Sequence, residues 1–165
     1  MDLDVRCFTV GPFQENCYVV RLRGATDALL VDPGAEPERL IEAVDALEVA
    51  VKAILITHTH IDHIGAVAPL ARHTGAPVYC PARERHVLAD IDSVYGAMGF
   101  GHFESCEADQ LLEGGEHLEL AGLEIDALFT PGHSPGHLTY AIPAQETMLD
   151  GDVLFRGSVG APCPG

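Results

Sequence analysis

The chain has 165 residues, 47% of them hydrophobic and 21% charged, with a formal net charge of −16. That length buries one sizeable core, and no low-complexity stretch, charge block or linker interrupts it, so a single domain over residues 1–165 is expected. The acidic balance repels phosphate and excludes DNA and RNA as expected partners; the start Met1-Asp2-Leu3-Asp4 lacks a signal-peptide core and no apolar run is long enough to span a bilayer, so a cytoplasmic protein without membrane contact is expected.

Residues 5–10, 17–22 and 28–31 read as three strands joined by glycine-containing turns, an antiparallel meander. Leu40, Ile41, Val44 and Leu47 recur at helical spacing, with Pro37 in the first turn, and predict a helix over 37–47. The apolar, β-branched run 52–57 predicts a buried strand. A helix over 64–73 ended by Gly75, a short strand over 77–80, a helix over 82–94 and an irregular loop over 96–110 follow. Strands are predicted over 117–121 and 123–129 around Gly122, then over 138–142 and 147–149. Cys17 and Cys80 lie in apolar strand-like segments and are expected in the core; the five cysteines form no CxxC pair. Meanders mixed with helices, rather than regular βαβ units, predict an α/β sandwich of two sheets with outer helices.

The strand at 52–57 runs directly into His58-Thr59-His60-Ile61-Asp62-His63. Packing does not explain three imidazoles and a carboxylate in six residues at a strand end. Side chains at i and i+2 of an extended segment point the same way, so His58 and His60 can reach one metal. If a helix starts there, Asp62 and His63 swing toward a second position. Imidazole and carboxylate donors suit zinc, iron or manganese better than calcium or magnesium. Two further strand ends carry matching groups: His133 in the rigid turn Thr130-Pro131-Gly132-His133-Ser134-Pro135-Gly136-His137, and Asp152 in Asp150-Gly151-Asp152. His137 reads as a residue that fixes its loop rather than a ligand. Asp32, before Pro33-Gly34, reads either as support for a metal-bound histidine or as plain turn chemistry.

His58 to His63 resembles the HxHxDH signature of the metallo-β-lactamase superfamily, and His133 and Asp152 fall in the order and context of its next two ligands. More narrowly, Val10-Gly11-Pro12-Phe13-Gln14-Glu15-Asn16-Cys17-Tyr18, Val31-Asp32-Pro33-Gly34 and the turn from Thr130 to His137 resemble the glyoxalase II-like hydroxyacylglutathione hydrolases. The resemblance implies an αββα sandwich built of two αβ halves. It implies a first metal on His58, His60 and His133, a second on Asp62 and His63, and Asp152 bridging them. Zinc is the implied cofactor, as one ion or two, with iron or manganese also suited. It implies hydrolysis of a small thioester by a zinc-bound water whose pKa falls to about 7, with Asp62 also orienting that water as a catalytic group. The alternatives are an iron-dependent enzyme of the persulfide dioxygenase type, using His58, His133 and Asp152, and a fragment without activity. The family usually supplies one more histidine from a late Gly-His-Gly turn, which this sequence lacks, and residues 161–165 depart from the family's continuation. A C-terminally truncated second half is therefore expected. With it come a weaker second metal, weak or absent turnover, and an uncovered apolar face around Leu138, Tyr140, Ile142 and Leu149.

Overall fold

The computed structural model describes residues 1–151 and the backbone of two short strands beyond them, Val153–Phe155 and Ser158–Val159. β1 (Leu3–Val10), β2 (Glu15–Leu22) and β3 (Asp27–Val31) form the expected antiparallel meander. Next come α1 (Pro37–Ala46), β4 (Ala50–Leu55), α2 (Ile61–Ile64), α3 (Val67–Thr74) and β5 (Val78–Pro81). α4 (Arg85–Ala89), α5 (Ile91–Tyr95) and β6 (Gln110–Leu112) complete the first half. The second half holds β7 (His117–Leu120), β8 (Leu123–Phe129), β9 (Leu138–Ile142), β10 (Thr147–Leu149), β11 (Val153–Phe155) and β12 (Ser158–Val159).

The first sheet runs in order from β1 to β6, antiparallel as far as β3 and parallel from there. The second runs from β7 to β12, antiparallel throughout. The central strands of the first sheet are apolar on both faces because both faces are covered. Cys17, Val19, Leu30 and Ile54 pack under the helices, against Leu40, Val44, Leu70 and Leu88. Tyr18, Val20, Leu29 and Leu55 point the other way, onto Ile125, Leu138, Tyr140 and Ile142 of the second sheet. Cys17 and Cys80 are buried free thiols, as their segments predict.

The structure differs from the sequence expectation in four places. The helix expected over 64–73 is two helices, α2 and α3. Pro69 has no N–H and its ring clashes with the carbonyl four residues back, so it sits in the first turn of a new helix. The helix expected over 82–94 breaks at Asp90, whose side chain accepts from the Ser93 N–H at 3.2 Å and starts α5. β6, expected as loop, adds a three-residue parallel strand beside β5. The expected uncovered apolar face is also absent: Leu138, Tyr140, Ile142 and Leu149 are at most 1% exposed, because they face the first sheet. The outward positions of the same sheet carry His117, Glu124 and Asp126 together with Leu128, Ala141 and Met148, and His117 Nδ1 lies 2.7 Å from Asp126. No helix among the described residues is long and apolar enough to cross a membrane.

One contact sets how the β3–α1 turn meets α2. A side-chain carbon placed on Gly34 would lie 1.6 Å from the backbone oxygen of Asp62, and one on Gly65 would lie 2.4 Å from the Gly34 oxygen. Only glycine lets the two backbones touch there. Gly34→Ala is expected to lower stability by about 3 kcal/mol or more, since backbone rather than a flexible side chain must move. Urea unfolding of the metal-free protein measures it, and a loss below about 1 kcal/mol would show that the turn is not held by this contact.

Candidate metal centre

The site lies where the ends of both sheets meet. β4 delivers the chain through Ile56 and Thr57 into an extended stretch, and His60 keeps extended backbone (φ −65°, ψ 144°) as the residue before α2. His58 and His60 therefore project together, their ring centres 4.6 Å apart. The single turn of α2 then carries Asp62 and His63, with His63 Nε2 3.7 Å from Asp62 Oδ2. From the second sheet, the turn between β8 and β9 brings His133 to 4.9 Å from His58 and 4.6 Å from His60, ring centre to ring centre. One ligand atom from each of His58, His60 and His133 lies within 4.8 Å of the others. Asp152 lies outside the described residues.

Two hydrogen bonds sew the sheets together at this end. The Leu138 N–H donates to the Thr57 carbonyl at 2.8 Å, and the Tyr140 hydroxyl donates to the Ile56 carbonyl at 2.7 Å. The His133 turn is fixed by its own ends: the Thr130 N–H donates to the His137 carbonyl at 2.9 Å, and the His137 ring meets the Thr130 hydroxyl at 2.9 Å. His137 therefore occupies the loop-fixing position, although its ring also borders the cavity of about 440 Å³ formed by His58, His63, His133, Asp150 and Gly151.

Asp32 does more than make a turn. One carboxylate oxygen accepts from the Thr57 N–H at 2.8 Å; the other accepts from the Thr57 hydroxyl at 2.7 Å and meets His63 Nδ1 at 2.9 Å. Glu15, also buried, places an oxygen 3.3 Å from the same His63 nitrogen. His63 thus has Nδ1 held by carboxylates and Nε2 left facing Asp62, the arrangement that fixes a ligating imidazole. His58 is held alike, with Nδ1 2.9 Å from the Thr57 hydroxyl.

Glu84 carries no local sequence signal, yet it is 3% exposed and joins the two histidine-bearing turns. Its Oε1 accepts from the Thr59 N–H at 3.0 Å and the Thr59 hydroxyl at 2.8 Å; its Oε2 accepts from the Ser134 hydroxyl and the Gly136 N–H, both at 2.7 Å. Burial alone raises a carboxyl pKa, but these donors outweigh it and hold Glu84 below the ordinary value. Tyr95 adds a further tie, its hydroxyl donating to the Thr59 carbonyl at 2.7 Å.

Burial, followed by mutual repulsion of the rings, pushes His58 well below the ordinary histidine pKa. Burial leads the same downward shift at His60 and His137. The fold therefore keeps these imidazoles neutral, the state in which they donate to a metal.

Glu84→Ala would leave two buried N–H groups and two hydroxyls without their acceptor, each worth about 1–3 kcal/mol. A loss of about 3 kcal/mol or more is expected in urea unfolding, with Glu84→Gln intermediate, since an amide can accept at one end only. Equal stability of all three proteins would contradict the role given to the carboxylate. An unfolded histidine takes up its proton near pH 6.5, whereas the buried rings resist it. The stability of the metal-free protein should thus be complete above that pH and fall as the pH drops from about 6.5 toward 5. Denaturation midpoints across that interval measure the effect, and a flat profile would show that the rings protonate freely in the fold.

Residues 10–162 match the sequence profile of the metallo-beta-lactamase superfamily. The chain is 30% identical over 160 residues to hydroxyacylglutathione hydrolase GloC of Haemophilus influenzae, covering 96% of this chain and 75% of that protein. Its fold superposes on the crystal structure of the BLEG-1 B3 metallo-beta-lactamase with a TM-score of 0.82 and 34% identity, over 96% of this chain and 76% of the other. TTHA1623 in a di-iron-bound form gives a TM-score of 0.77 at 38% identity, over 94% and 75% of the two chains. With the histidine cluster at the joined sheet ends, these likenesses identify the chain as a metallo-hydrolase belonging to the metallo-beta-lactamase superfamily.

Proposed function

We propose that the chain hydrolyses a small thioester of the hydroxyacylglutathione type, with a divalent ion on His58, His60 and His133. The observation that carries this is the convergence of those three imidazoles, one of which, His58, has a buried Nε2 with no hydrogen-bond partner among the described residues. Such an atom costs about 1–3 kcal/mol if it stays unpaired, and a metal satisfies it. Neutral nitrogens aimed at one point suit zinc, with iron and manganese also accommodated. Asp62 and His63 would hold a second ion through Oδ2 and Nε2. Asp32 also falls within 4.8 Å of His58 and His63, but both its oxygens are engaged with Thr57 and His63, so it orients ligands rather than binding metal.

The ion, when bound, supplies a Lewis acid for the acyl oxygen and acidifies a water. The chain's own residues do the rest. Asp62, whose side chain is 29% exposed, is a partly open carboxylate at the site and can accept a hydrogen bond from the attacking water. Thr57 and Glu84 keep the histidine-bearing turns from shifting as the substrate enters. Hydroxyacylglutathione hydrolysis by the Haemophilus relative supports a thioester substrate, and the di-iron relative supports iron as a competing ion. An iron oxygenase of the persulfide dioxygenase type would use His58, His133 and Asp152, so the histidine cluster is common to both readings, and the likeness to a hydroxyacylglutathione hydrolase is what favours the hydrolase. A small molecule, rather than nucleic acid or a membrane, fits the acidic chain.

Hydrolysis of S-lactoylglutathione by the purified chain, with zinc supplied and with a chelator, tests this. Weak zinc-dependent turnover is expected, and His133→Ala should lower kcat/KM by more than about 100-fold. Turnover that survives both the chelator and the substitution would contradict it. Oxygen uptake with glutathione persulfide, in iron-loaded protein that leaves thioesters intact, would replace the hydrolase with the oxygenase.

A further inference from the structure

A second cavity, of about 270 Å³, opens beside the metal centre, with Asp62 in its wall. Its other walls include Val10 at the end of β1, Phe13 from the β1–β2 turn, Ile61 at the start of α2, and Phe100 and Phe103 from the segment after α5. Phe13 and Phe100 meet edge to face with ring centres 5.6 Å apart, bridging two separate loops. Both are also well exposed, at 56% and 39%. Single exposed aromatics are ordinary, but a bridged pair over an apolar hollow next to a metal centre is the composition of a ligand subsite.

The wall is as informative for its charge as for its rings. Among the described residues that line it, Asp62 is the one ionisable group, and no lysine or arginine is present. The chain's single lysine, Lys52, lies on β4 and pairs with Asp27 at 3.3 Å. An anionic arm, such as the carboxylates of a glutathione moiety, would meet a carboxylate and no cation there. An uncharged ring or branched alkyl group would meet three phenylalanines and aliphatic carbon.

We propose that this cavity is the subsite for an uncharged, apolar arm of the substrate, of aryl or branched-alkyl kind, lying beside the bond that is cleaved. This rests on the hydrolase reading and narrows its substrate: the arm in this cavity is not an anionic peptide. Phe13 and Phe100 act as specificity-determining residues. Their exposure makes them replaceable without emptying the core.

Two measurements separate the subsite from the chemistry. Line broadening in the fluorine NMR spectrum of 4-fluorobenzyl alcohol reads occupancy without turnover. The probe is expected to broaden with the native chain and with His133→Ala, and to stay sharp with Phe13→Ala and Phe100→Ala. In hydrolysis, phenylacetyl-N-acetylcysteamine or S-benzyl thioacetate, one with the ring on the acyl side and one on the thiol side, is compared with acetyl-N-acetylcysteamine. The better aryl thioester should show a KM about tenfold lower, and the two phenylalanine substitutions should abolish that advantage. A probe unaffected by either substitution, or an aryl advantage that survives both, overturns the proposal. If no thioester is cleaved while the probe still binds through Phe13 and Phe100, the hydrolase reading fails and the apolar subsite stands.

Discussion

The Asp32 carboxylate is the constraint on which the rest of the site depends. It caps the end of β4 by accepting both the N–H and the hydroxyl of Thr57, and it holds Nδ1 of His63 on the next turn. One buried group thereby fixes where the strand stops, where the histidines begin and which nitrogen His63 shows to the cavity. The backbone at Asp32 adopts a left-handed conformation (φ 49°), uncommon outside glycine but tolerated best by Asp and Asn. The close approach of Gly34 to Asp62 follows from the same turn. Fold and histidine geometry are therefore tied together by one short segment, Asp32-Pro33-Gly34.

Glu84 plays the matching part on the other side. The first sheet carries His58 and His60, the second carries His133, and nothing in the topology alone requires their turns to stay in register. A carboxylate that takes two donors from Thr59 and one each from Ser134 and Gly136 supplies that register together with the Leu138–Thr57 and Tyr140–Ile56 bonds. Buried charge is stabilising only when its hydrogen bonds are complete, and here all four donors lie within 3.0 Å. Burial pulls against protonation at the histidines and against ionisation at Glu84; its donors reverse the second effect, so an anionic Glu84 stands beside neutral imidazoles.

Much of this was legible in the sequence, for physical reasons. Alternation and turn residues located the meander, β8, β9 and β10, and the burial of β2 to β4 on both faces explains why they read as continuous apolar runs. His58, His60 and His133 stood out because imidazoles at strand ends have little packing value. What stayed hidden was long-range. Glu84 sits among charged neighbours, Arg83 and Arg85, and nothing local distinguishes it from a solvated face. For Asp32, turn chemistry and metal support were equally readable until Thr57 and His63 were placed beside it. The covering of Leu138, Tyr140, Ile142 and Leu149 by the first sheet is not legible locally, because strand periodicity shows which residues share a face, not which neighbour covers it.

In the proposed site, three imidazoles from two different sheets share one ion. X-ray absorption at the zinc edge of protein loaded with one equivalent of zinc measures this directly. A shell of imidazole nitrogens at about 2.0–2.1 Å with scattering from three rings is expected, reduced to two rings in His133→Ala. A shell of oxygen or sulfur, or one that keeps three rings after that substitution, would contradict it.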